Sequence, residues 1–165
     1  YDEVRIPALV TAQDGTLLAF GEGRRRDPLS THSDHGRNDI LLRRSADGGA
    51  TWGEVIPVQA DREIIYINPC AVVLPSGRVL LMYQTFPFGY HARPIGEHIK
   101  VLEPGVTGER ISRTFLQWSD DHGATWSAPK DVTAQTKRPA PIVSTATGPG
   151  VGIALERGPH KGRVI

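Results

Sequence analysis

Short apolar runs alternate with turn-forming residues along the whole chain, and this alternation sets the predicted secondary structure. Residues 4–10 and 16–20 flank a turn at 13–15 that contains Asp-Gly, a pair typical of a β-hairpin. No long stretch repeats its apolar residues at the helical period of 3.6. With 18 glycines and 13 prolines, the chain is also rich in turn formers. The pattern therefore predicts an all-β fold.

The same hairpin pattern restarts twice further along the chain. Residues 71–74 and 79–83 flank a second turn at 75–77. Residues 151–155 and 163–165 repeat the layout around a third turn. Recurrence of one supersecondary unit is the sequence signature of propellers and other repeat folds.

Each of the first two hairpins is followed by a further predicted strand, at residues 39–44 and 111–118, and a short return strand completes the first unit. The long polar stretches 21–38 and 86–109 are predicted as loops. The unit is thus four antiparallel strands, which is the pattern of a β-propeller blade. Because a propeller closes to remove exposed strand edges, we expect residues 1–165 to be about three blades of a longer, single propeller domain.

An eight-residue motif, Ser-x-Asp-x-Gly-x-Thr-Trp, occurs at residues 45–52 and again at 119–126. Its aspartate is expected to accept hydrogen bonds from turn amides, and its glycine to adopt a positive φ. The threonine can bond across the hairpin while the tryptophan packs beneath it. The motif resembles the Asp-box, which we expect to be a folding device rather than a ligand contact. Its structural residues are Ser45, Asp47, Gly49, Thr51 and Trp52 in the first copy, and Ser119, Asp121, Gly123, Thr125 and Trp126 in the second.

Composition and charge exclude only a few classes of partner and site. With 165 residues, of which 39% are hydrophobic, the chain can bury one ordinary core. Its net charge of +1 gives no reason to expect nucleic acid as a partner. No apolar run is long enough to span a membrane. The single cysteine, Cys70, excludes an internal disulfide and a thiolate zinc cluster.

The residues that flank the first Asp-box resemble the start of exo-α-sialidases (neuraminidases), a family of six-bladed Asp-box, or BNR-repeat, propellers. The tripeptide Arg-Ile-Pro at 5–7 matches a motif of that family, and residues 18–24 follow at the expected distance. An acidic loop at 33–36 precedes the strand that enters the first Asp-box. Asn-Pro-Cys at 68–70 and the segment 148–153 extend the resemblance over nearly the whole chain. It implies the N-terminal part of a six-bladed β-propeller with four-stranded antiparallel blades, apparently truncated.

The resemblance implies that several side chains bind the substrate. Arg5 looks like the first member of the arginine triad that clamps the sialic acid carboxylate, for which a guanidinium offers a planar fork. Arg24 looks like a second basic contact, but Arg25 and Arg26 leave this register open by one residue, and a solvated basic loop is the alternative. Glu22 lies where some family members place a supporting carboxylate, and a structural role is an equal alternative.

Two further residues complete the set implied by the resemblance. Asn68 lies where sialidases recognise the N-acetyl and glycerol side of the substrate, and a turn asparagine before proline is the alternative. Glu109 precedes the second Asp-box strand and is a further candidate pocket carboxylate. The substrate-binding set is thus Arg5, Glu22, Arg24, Asn68 and Glu109.

Asp34 resembles the general acid/base of the family. A carboxylic acid on a loop can protonate the leaving glycosidic oxygen and then deprotonate water. Asp39 is the competing carboxylate, but it lies at the start of a predicted strand. His32 and His35 beside Asp34 could suggest a metal site. Without a cysteine partner or a further ligand pattern, however, the sequence predicts no metal and no cofactor.

The nucleophile of the family is not expected within this chain. Sialidases use a tyrosine partnered by a glutamate and retain the anomeric configuration. In family members this tyrosine and two further triad arginines lie well downstream. None of Tyr1, Tyr66, Tyr83 and Tyr90 matches the motif around that tyrosine. We therefore expect this chain alone to be inactive.

The resemblance implies a glycoside hydrolase, an exo-α-sialidase that releases terminal α-linked sialic acid from glycoproteins, glycolipids or oligosaccharides. The alternatives are a non-catalytic Asp-box propeller that binds glycan or protein, and a propeller glycosidase for another sugar. Arg5 together with Asp34 favours the sialidase, because a scaffold propeller needs neither. The chain opens and stops on strand-like sequence with no signal peptide, so secretion or export is favoured by the family resemblance alone.

Overall fold

The computed structural model describes residues 1–26, 36–95, 97–138 and 141–165. Within these residues no helix is long and apolar enough to cross a membrane. The strands are Glu3–Thr11 (β1), Leu17–Arg25 (β2), Arg37–Ser45 (β3), Ile56–Gln59 (β4), Ile64–Val73 (β5), Val79–Pro87 (β6), Tyr90–His91 (β7), Lys100–Val101 (β8), Arg113–Ser119 (β9) and Lys130–Asp131 (β10), and one helical turn is formed by Thr133–Thr136 (α1).

Strands β1 to β4 form a four-stranded antiparallel sheet in sequential order, here called blade 1. The turn between β1 and β2 is closed by hydrogen bonds from the Ala12 amide to the Thr16 carbonyl (2.8 Å) and from the Gly15 amide to the Ala12 carbonyl (3.0 Å). Gly15 has a φ of +90°, which glycine adopts without steric cost. The predicted first hairpin is confirmed.

Strands β5, β6, β9 and β10 form a second antiparallel sheet in that order, here called blade 2. The chain between β6 and β9 forms an insertion in which β7 and β8 pair in parallel. The insertion packs on a small apolar cluster in which Ile65, Phe86 and Leu102 are buried. The prediction of a loop over 86–109 missed this pair because strands of two residues carry no periodic signal.

The main hydrophobic core lies between the two blades. Successive side chains of a strand point to opposite faces of the sheet, so each strand turns one set of residues towards the neighbouring blade. Burial of apolar surface stabilises this contact by about 25 cal/mol per Å². The buried set includes Ala8, Leu18, Phe20, Ile40 and Leu42 from blade 1, and Tyr66, Ala71, Val79, Leu81 and Tyr83 from blade 2.

Strands β2 and β3 extend further than the sequence predicts. The loop prediction for 21–38 is wrong at both ends, because both strands reach into it. Glycine and charged residues are typical of loops, but here they are compatible with a strand because the glycines allow close packing and the charges of β2 are paired. A Cβ on Gly23 would lie 2.7 Å from Tyr1 Cδ1 and closer still to Leu41 Cδ1, so glycine lets these side chains close over β2. In the same stretch the charges of Glu22 and Arg24 form an ion pair.

The predicted third hairpin is present as hydrogen bonds rather than as full strands. The amides of Ile153 and Ile165 each donate to the carbonyl of the other, at 2.8 and 3.0 Å. Ala71 and Val151 form a parallel bridge, and the Gly152 amide donates to the Ala71 carbonyl at 2.9 Å. This segment therefore lies alongside β5.

Both Asp-boxes fold into the same hydrogen-bonded turn, at the edge of the blades that also carries the β1–β2 turn. In the first box, Asp47 Oδ1 accepts hydrogen bonds from the Thr51 amide (2.9 Å) and the Ser45 hydroxyl (2.8 Å), and Asp47 Oδ2 accepts one from the Thr51 hydroxyl (2.5 Å). The second box repeats these bonds around Asp121, at 2.8, 2.8 and 2.5 Å. We call this edge the lower edge.

The two Asp-box tryptophans have different surroundings. Trp126 of blade 2 packs edge-on against Phe20 of blade 1, with ring centroids 5.7 Å apart. A Cβ on Gly123 would lie 3.0 Å from Leu18 Cδ2, which also belongs to blade 1. Trp52 lines a cavity of about 320 Å³, and the other described residues that line it all belong to blade 1. The Asp-box of blade 2 thus packs on the blade that precedes it in sequence.

The first strands of the two blades, β1 and β5, each contain a β-bulge. Their register shifts at a bulge over residues 6–7 in β1 and over residues 68–69 in β5. Ile6 and Asn68, each followed by proline, have φ values of +53° and +55°. Positive φ is unusual for a β-branched residue, and backbone strain of this kind concentrates at functional sites. The two bulges occupy corresponding positions in the two blades.

Candidate active site

The edge opposite the Asp-boxes, here called the upper rim, holds most of the predicted site residues. β1 and β5 begin there and β2 ends there, so Arg5, Glu22, Arg24 and Asn68 are supplied by three strands. In the antiparallel pair of β1 and β2, Arg5 lies opposite Glu22. Residues directly opposite each other share one face of a sheet. Arg5, Glu22 and Arg24 therefore share a face of blade 1.

Glu22 and Arg24 form a buried ion pair. Only 1% of Glu22 and 5% of Arg24 is exposed. Glu22 Oε2 accepts hydrogen bonds from Arg24 Nε at 2.9 Å and from Arg24 Nη2 at 2.6 Å. Because burial of either charge without the other is costly, each residue makes the other tolerable inside the fold. This pairing explains how a charged stretch continues β2.

Glu22 also reaches across to blade 2. Its Oε1 accepts a hydrogen bond from the backbone amide of Asn68 at 2.6 Å. Asn68 Nδ2 donates to Gln84 Oε1 at 3.4 Å, and Gln84 Nε2 donates to Ser144 Oγ at 2.7 Å. A polar network thus runs from blade 1 through blade 2 to Ser144.

Arg5 lies at the start of β1 with its side chain exposed. Among the described residues its guanidinium takes part in no hydrogen bond or ion pair. A guanidinium binds a carboxylate through two parallel N–H···O bonds. The upper rim therefore presents a cation that can receive an anionic group beside a buried, internally neutral pair.

The alternation of β2 decides which of three consecutive arginines faces the site. Arg24 shares the face of Glu22. Arg25 points to the opposite face, where its Nη1 donates to Asp39 Oδ2 at 2.5 Å. Arg26 lies beyond the end of β2, and its amide donates to Asp2 at 2.8 Å. The register predicted for Arg24 is the one that places a guanidinium beside Glu22.

Asp39 belongs to a separate cluster on the other face of blade 1. It is wholly buried, and its Oδ2 accepts hydrogen bonds from the Tyr1 hydroxyl (2.8 Å) and from Arg25. The Arg25 guanidinium lies 4.1 Å from the centroid of the Tyr1 ring. Burial, together with the hydrogen bond to Asp39, raises the pKa of the Tyr1 phenol. Asp39 therefore lies on the face of blade 1 that Glu22 and Arg24 do not occupy.

The described tyrosines offer no ready nucleophile at the upper rim. Tyr66 and Tyr83 lie in the core between the blades, with ring centroids 5.9 Å apart, and burial raises the pKa of both phenols. Tyr90 is half-buried on the insertion, with the Lys100 ammonium 5.7 Å from its ring centroid. A nucleophile needs a lowered pKa or an adjacent base, which is the opposite of the surroundings of Tyr66 and Tyr83.

A protein family described as the BNR repeat-like domain matches residues 15–151 of this chain. The chain belongs to the BNR repeat-like domain family. Curated relatives include a sialidase of Micromonospora viridifaciens, 34% identical over 167 residues, a match that covers 100% of this chain and 25% of the relative. An exo-alpha-sialidase of Arthroderma benhamiae is 29% identical over 181 residues and is matched over 42% of its length by 100% of this chain.

A solved structure of the Hadza microbial sialidase Hz136 matches this BNR repeat-like chain with a TM-score of 0.75 and 27% identity. The match covers 92% of this chain and 30% of that structure. The chain thus spans between a quarter and about two fifths of the length of these relatives. The resemblance to the sialidase family and the all-β class of a partial propeller are confirmed.

Within the BNR repeat-like fold, the structure brings four predicted site residues together at the upper rim: Arg5, Glu22, Arg24 and Asn68. Glu109 is exposed on the insertion and takes part in no hydrogen bond or ion pair with any described residue. Asp34, His32 and His35 lie outside the described residues. The predicted acid/base therefore stays a prediction.

Two buried polar residues of the upper rim were missed by the sequence prediction. Gln84 is 1% exposed and lies in the mostly apolar β6. A polar residue within an apolar strand was the signal that could have identified it. Asn38 is fully buried opposite Arg24, and neither polar atom of its side chain has a hydrogen-bond partner in the described part of the chain. Asn38 was missed because the sequence prediction assigned residues 21–38 to a loop, where a polar side chain is expected to be exposed.

Proposed function

We propose that this chain supplies the carboxylate-binding and proton-transfer part of an exo-α-sialidase. In this proposal the complete protein hydrolyses terminal α-linked sialic acid from glycoproteins, glycolipids or oligosaccharides. The observation that carries it is the exposed guanidinium of Arg5, unpaired among the described residues, beside the buried Glu22–Arg24 pair, in a chain whose relatives are named sialidases.

Charge complementarity supports the binding step of this proposal. Sialic acid carries a carboxylate on its anomeric carbon, so the substrate is an anion at neutral pH. Arg5 receives the two carboxylate oxygens through its planar fork, which orients the sugar as well as attracting it. Arg24 adds a second guanidinium whose orientation is fixed by Glu22. Asn68 lies beside this pair and contacts the far side of the sugar.

Asp34 is assigned the proton transfers in this proposal. It protonates the leaving glycosidic oxygen as the bond to the anomeric carbon breaks, and then deprotonates the water that releases the product. The nucleophile is assigned to a tyrosine of the complete protein outside this chain, since Tyr66 and Tyr83 are buried phenols of raised pKa. Two displacements at one carbon give retention of configuration.

The dependence of the rate on the leaving group tests the role of Asp34 in the complete protein. Asp34→Ala is expected to slow hydrolysis of a sialyl oligosaccharide by about 10²–10⁴-fold, because a sugar alkoxide leaves poorly without a proton. A fluorogenic sialoside with a phenol leaving group should lose much less activity, since a phenolate departs readily. Asp120→Ala, which changes an exposed aspartate at the lower edge, serves as the control and should leave both rates unchanged.

An equal loss of activity on both substrates contradicts the acid role of Asp34. If the wild-type complete protein binds sialosides without turnover, the proposal fails and a glycan-binding propeller takes its place. The isolated 165-residue chain is expected to release no fluorophore, because the proposal places the nucleophile outside it.

A further inference from the structure

Glu22 contacts two blades at once through its two carboxylate oxygens. One oxygen binds the guanidinium of Arg24 in blade 1, and the other binds the backbone amide of Asn68 in blade 2. We infer that Glu22 is a positioning residue that fixes Arg24 and the Asn68 bulge relative to each other. The inference rests on the proposed function only in so far as Arg24 and Asn68 face the substrate.

Burial gives Glu22 a role different from that of a substrate ligand. With 1% of its surface exposed, Glu22 has exchanged water for protein donors. A buried carboxylate is tolerated when each oxygen is hydrogen-bonded and a counter-charge lies beside it, and both conditions are met here. Charge-assisted hydrogen bonds of 2.6 Å are short and directional. Glu22 is therefore suited to hold its two partners in place.

The Asn68 bulge has a particular need for such a partner. At a β-bulge the ladder between strands is interrupted, so a backbone amide can lose its strand partner. The register of β5 against β6 skips Asn68, whose φ is +55°. Glu22 supplies the acceptor that its amide requires. The interblade bond thereby holds the bulge in its left-handed conformation.

The Asn68 bulge is also bonded to the chain segment at residues 147–148. The Thr147 hydroxyl donates to the Asn68 carbonyl at 2.5 Å. A Cβ on Gly148 would lie 3.0 Å from the Pro69 carbonyl oxygen, so the two chain segments approach closely there. The amide and the carbonyl of Asn68 therefore join blade 1 and the segment around Thr147 to blade 2.

Two measurements on the complete protein test this inference. In Glu22→Ala, hydrogen exchange of the Asn68 amide is expected to quicken by about tenfold or more, since a hydrogen bond to a charged group is lost. The KM for a sialoside should rise by about tenfold or more while kcat changes less, because a misplaced Arg24 weakens binding in ground state and transition state alike. Glu54→Ala, an exposed glutamate in the loop between β3 and β4, is the matched control for both measurements.

A double mutant separates positioning from a general loss of structure. If Glu22 acts on binding chiefly through Arg24, replacing Glu22 in an Arg24→Lys background should raise KM much less than in the wild type. Full additivity of the two changes in KM contradicts the inference. A merely structural role of Glu22 gives such additivity, because it weakens the fold in both backgrounds.

Unchanged exchange of the Asn68 amide in Glu22→Ala overturns the inference, whatever the activity. A wild-type protein without sialidase activity overturns the proposed function and leaves the exchange measurement to decide the role of Glu22. If Glu22→Ala does not fold, Glu22→Gln replaces it, since one carbonyl oxygen cannot serve both partners. In that variant either the exchange rate or KM must change, and no change in both overturns the inference.

Discussion

At the scale of single residues, the aspartates of the two Asp-boxes are the clearest case of one side chain shaping a turn. Hydrogen bonds from the Thr51 hydroxyl, the Thr51 amide and the Ser45 hydroxyl lower the pKa of Asp47 to about 2. Hydrogen bonds from Thr125, led by its hydroxyl, lower the pKa of Asp121 to about 2. These bonds favour the ionised carboxylate, so the turns depend on that charge.

Acid should therefore weaken the Asp-boxes. The pKa of each aspartate falls from 3.8 to about 2 in the folded chain, so its contribution is present above about pH 4 and is lost as pH falls towards 2. Asp121→Asn is expected to lower Tm at pH 5, and the gap to the wild type should narrow between pH 4 and pH 2. Thermal melts across this range measure the gap.

Asp120→Asn is the matched control for this pH series. Asp120 is the exposed neighbour of Asp121 and pairs at the surface with Arg78, with Asp120 Oδ1 2.7 Å from Arg78 Nε. Exposed ion pairs contribute about 0–1 kcal/mol, so its Tm should stay near that of the wild type. A gap for Asp121→Asn that is constant from pH 5 to pH 2 argues against the ionised carboxylate as the source of stability.

The sequence predicted local contacts of residues and missed those that join distant parts of the chain. The bonds of Asp47 lie within eight consecutive residues, so a repeated motif was enough to place them. The bond from Asn68 to Glu22 joins positions 46 apart in sequence. Nothing near either residue indicates the other, because their contact depends on how two blades pack.

At the scale of strands, β2 shows how glycine can serve an ordered element. Gly21 and Gly23 alternate with Glu22 and Arg24, so the glycines occupy one face and the ion pair occupies the other. On the glycine face, a Cβ at Gly21 would lie 2.7 Å from Val4 Cγ1. Residues 21–25, which the sequence assigns to a loop, are thus part of a strand, with glycines packed closely on one face and the Glu22–Arg24 pair on the other.

Gly23→Ala is expected to destabilise the fold by about 1–3 kcal/mol, the usual cost of overpacking. The new methyl group would collide with Leu41 and with the Tyr1 ring at 2.7 Å, so both side chains must shift. Gly53→Ala is the control, because the atom nearest to its new Cβ in the described part of the chain would be the Arg44 carbonyl oxygen, at an acceptable 3.4 Å. Chemical denaturation measures both, and equal stability of the two variants contradicts the packing argument.

At the scale of the whole molecule, the two Asp-box tryptophans differ in whether a neighbouring blade packs against them. Trp126 packs on Phe20 of the neighbouring blade, whereas the described residues that line the cavity beside Trp52 all belong to blade 1. On that side of blade 1, 64% of Val4 and 47% of Val55 is exposed. Corresponding positions of two similar blades thus differ in whether another blade lies against them.

In the 165-residue chain, Trp126→Ala is expected to lower the free energy of unfolding by about 1–3 kcal/mol, less than the about 3–5 kcal/mol of a fully buried tryptophan. Trp52→Ala should cost less, because it removes contacts within one blade only. Denaturant titration of both variants measures the difference. If Trp52→Ala is the more damaging change, the contact with Phe20 is not what stabilises the pair of blades.

The architecture was largely predictable because repetition is visible in sequence. Two hairpins with the same layout and two Asp-boxes gave the four-stranded blades that the structure contains. The extent of β2, the β7–β8 pair and the Glu22 bond were missed, since each depends on contacts made after the blades pack. The predicted acid/base, Asp34, lies outside the described residues.

The packing of Trp126 on Phe20 gives the assembly a direction. Synthesis proceeds from the N-terminus, so the ribosome delivers the surface around Phe20 about a hundred residues before the tryptophan that docks on it. Blade 2 can then pack against blade 1 as it is synthesised, with the tryptophan of its Asp-box making the contact. Neighbouring blades lie close in sequence, and contacts between segments that are close in sequence favour faster folding than contacts between distant ones.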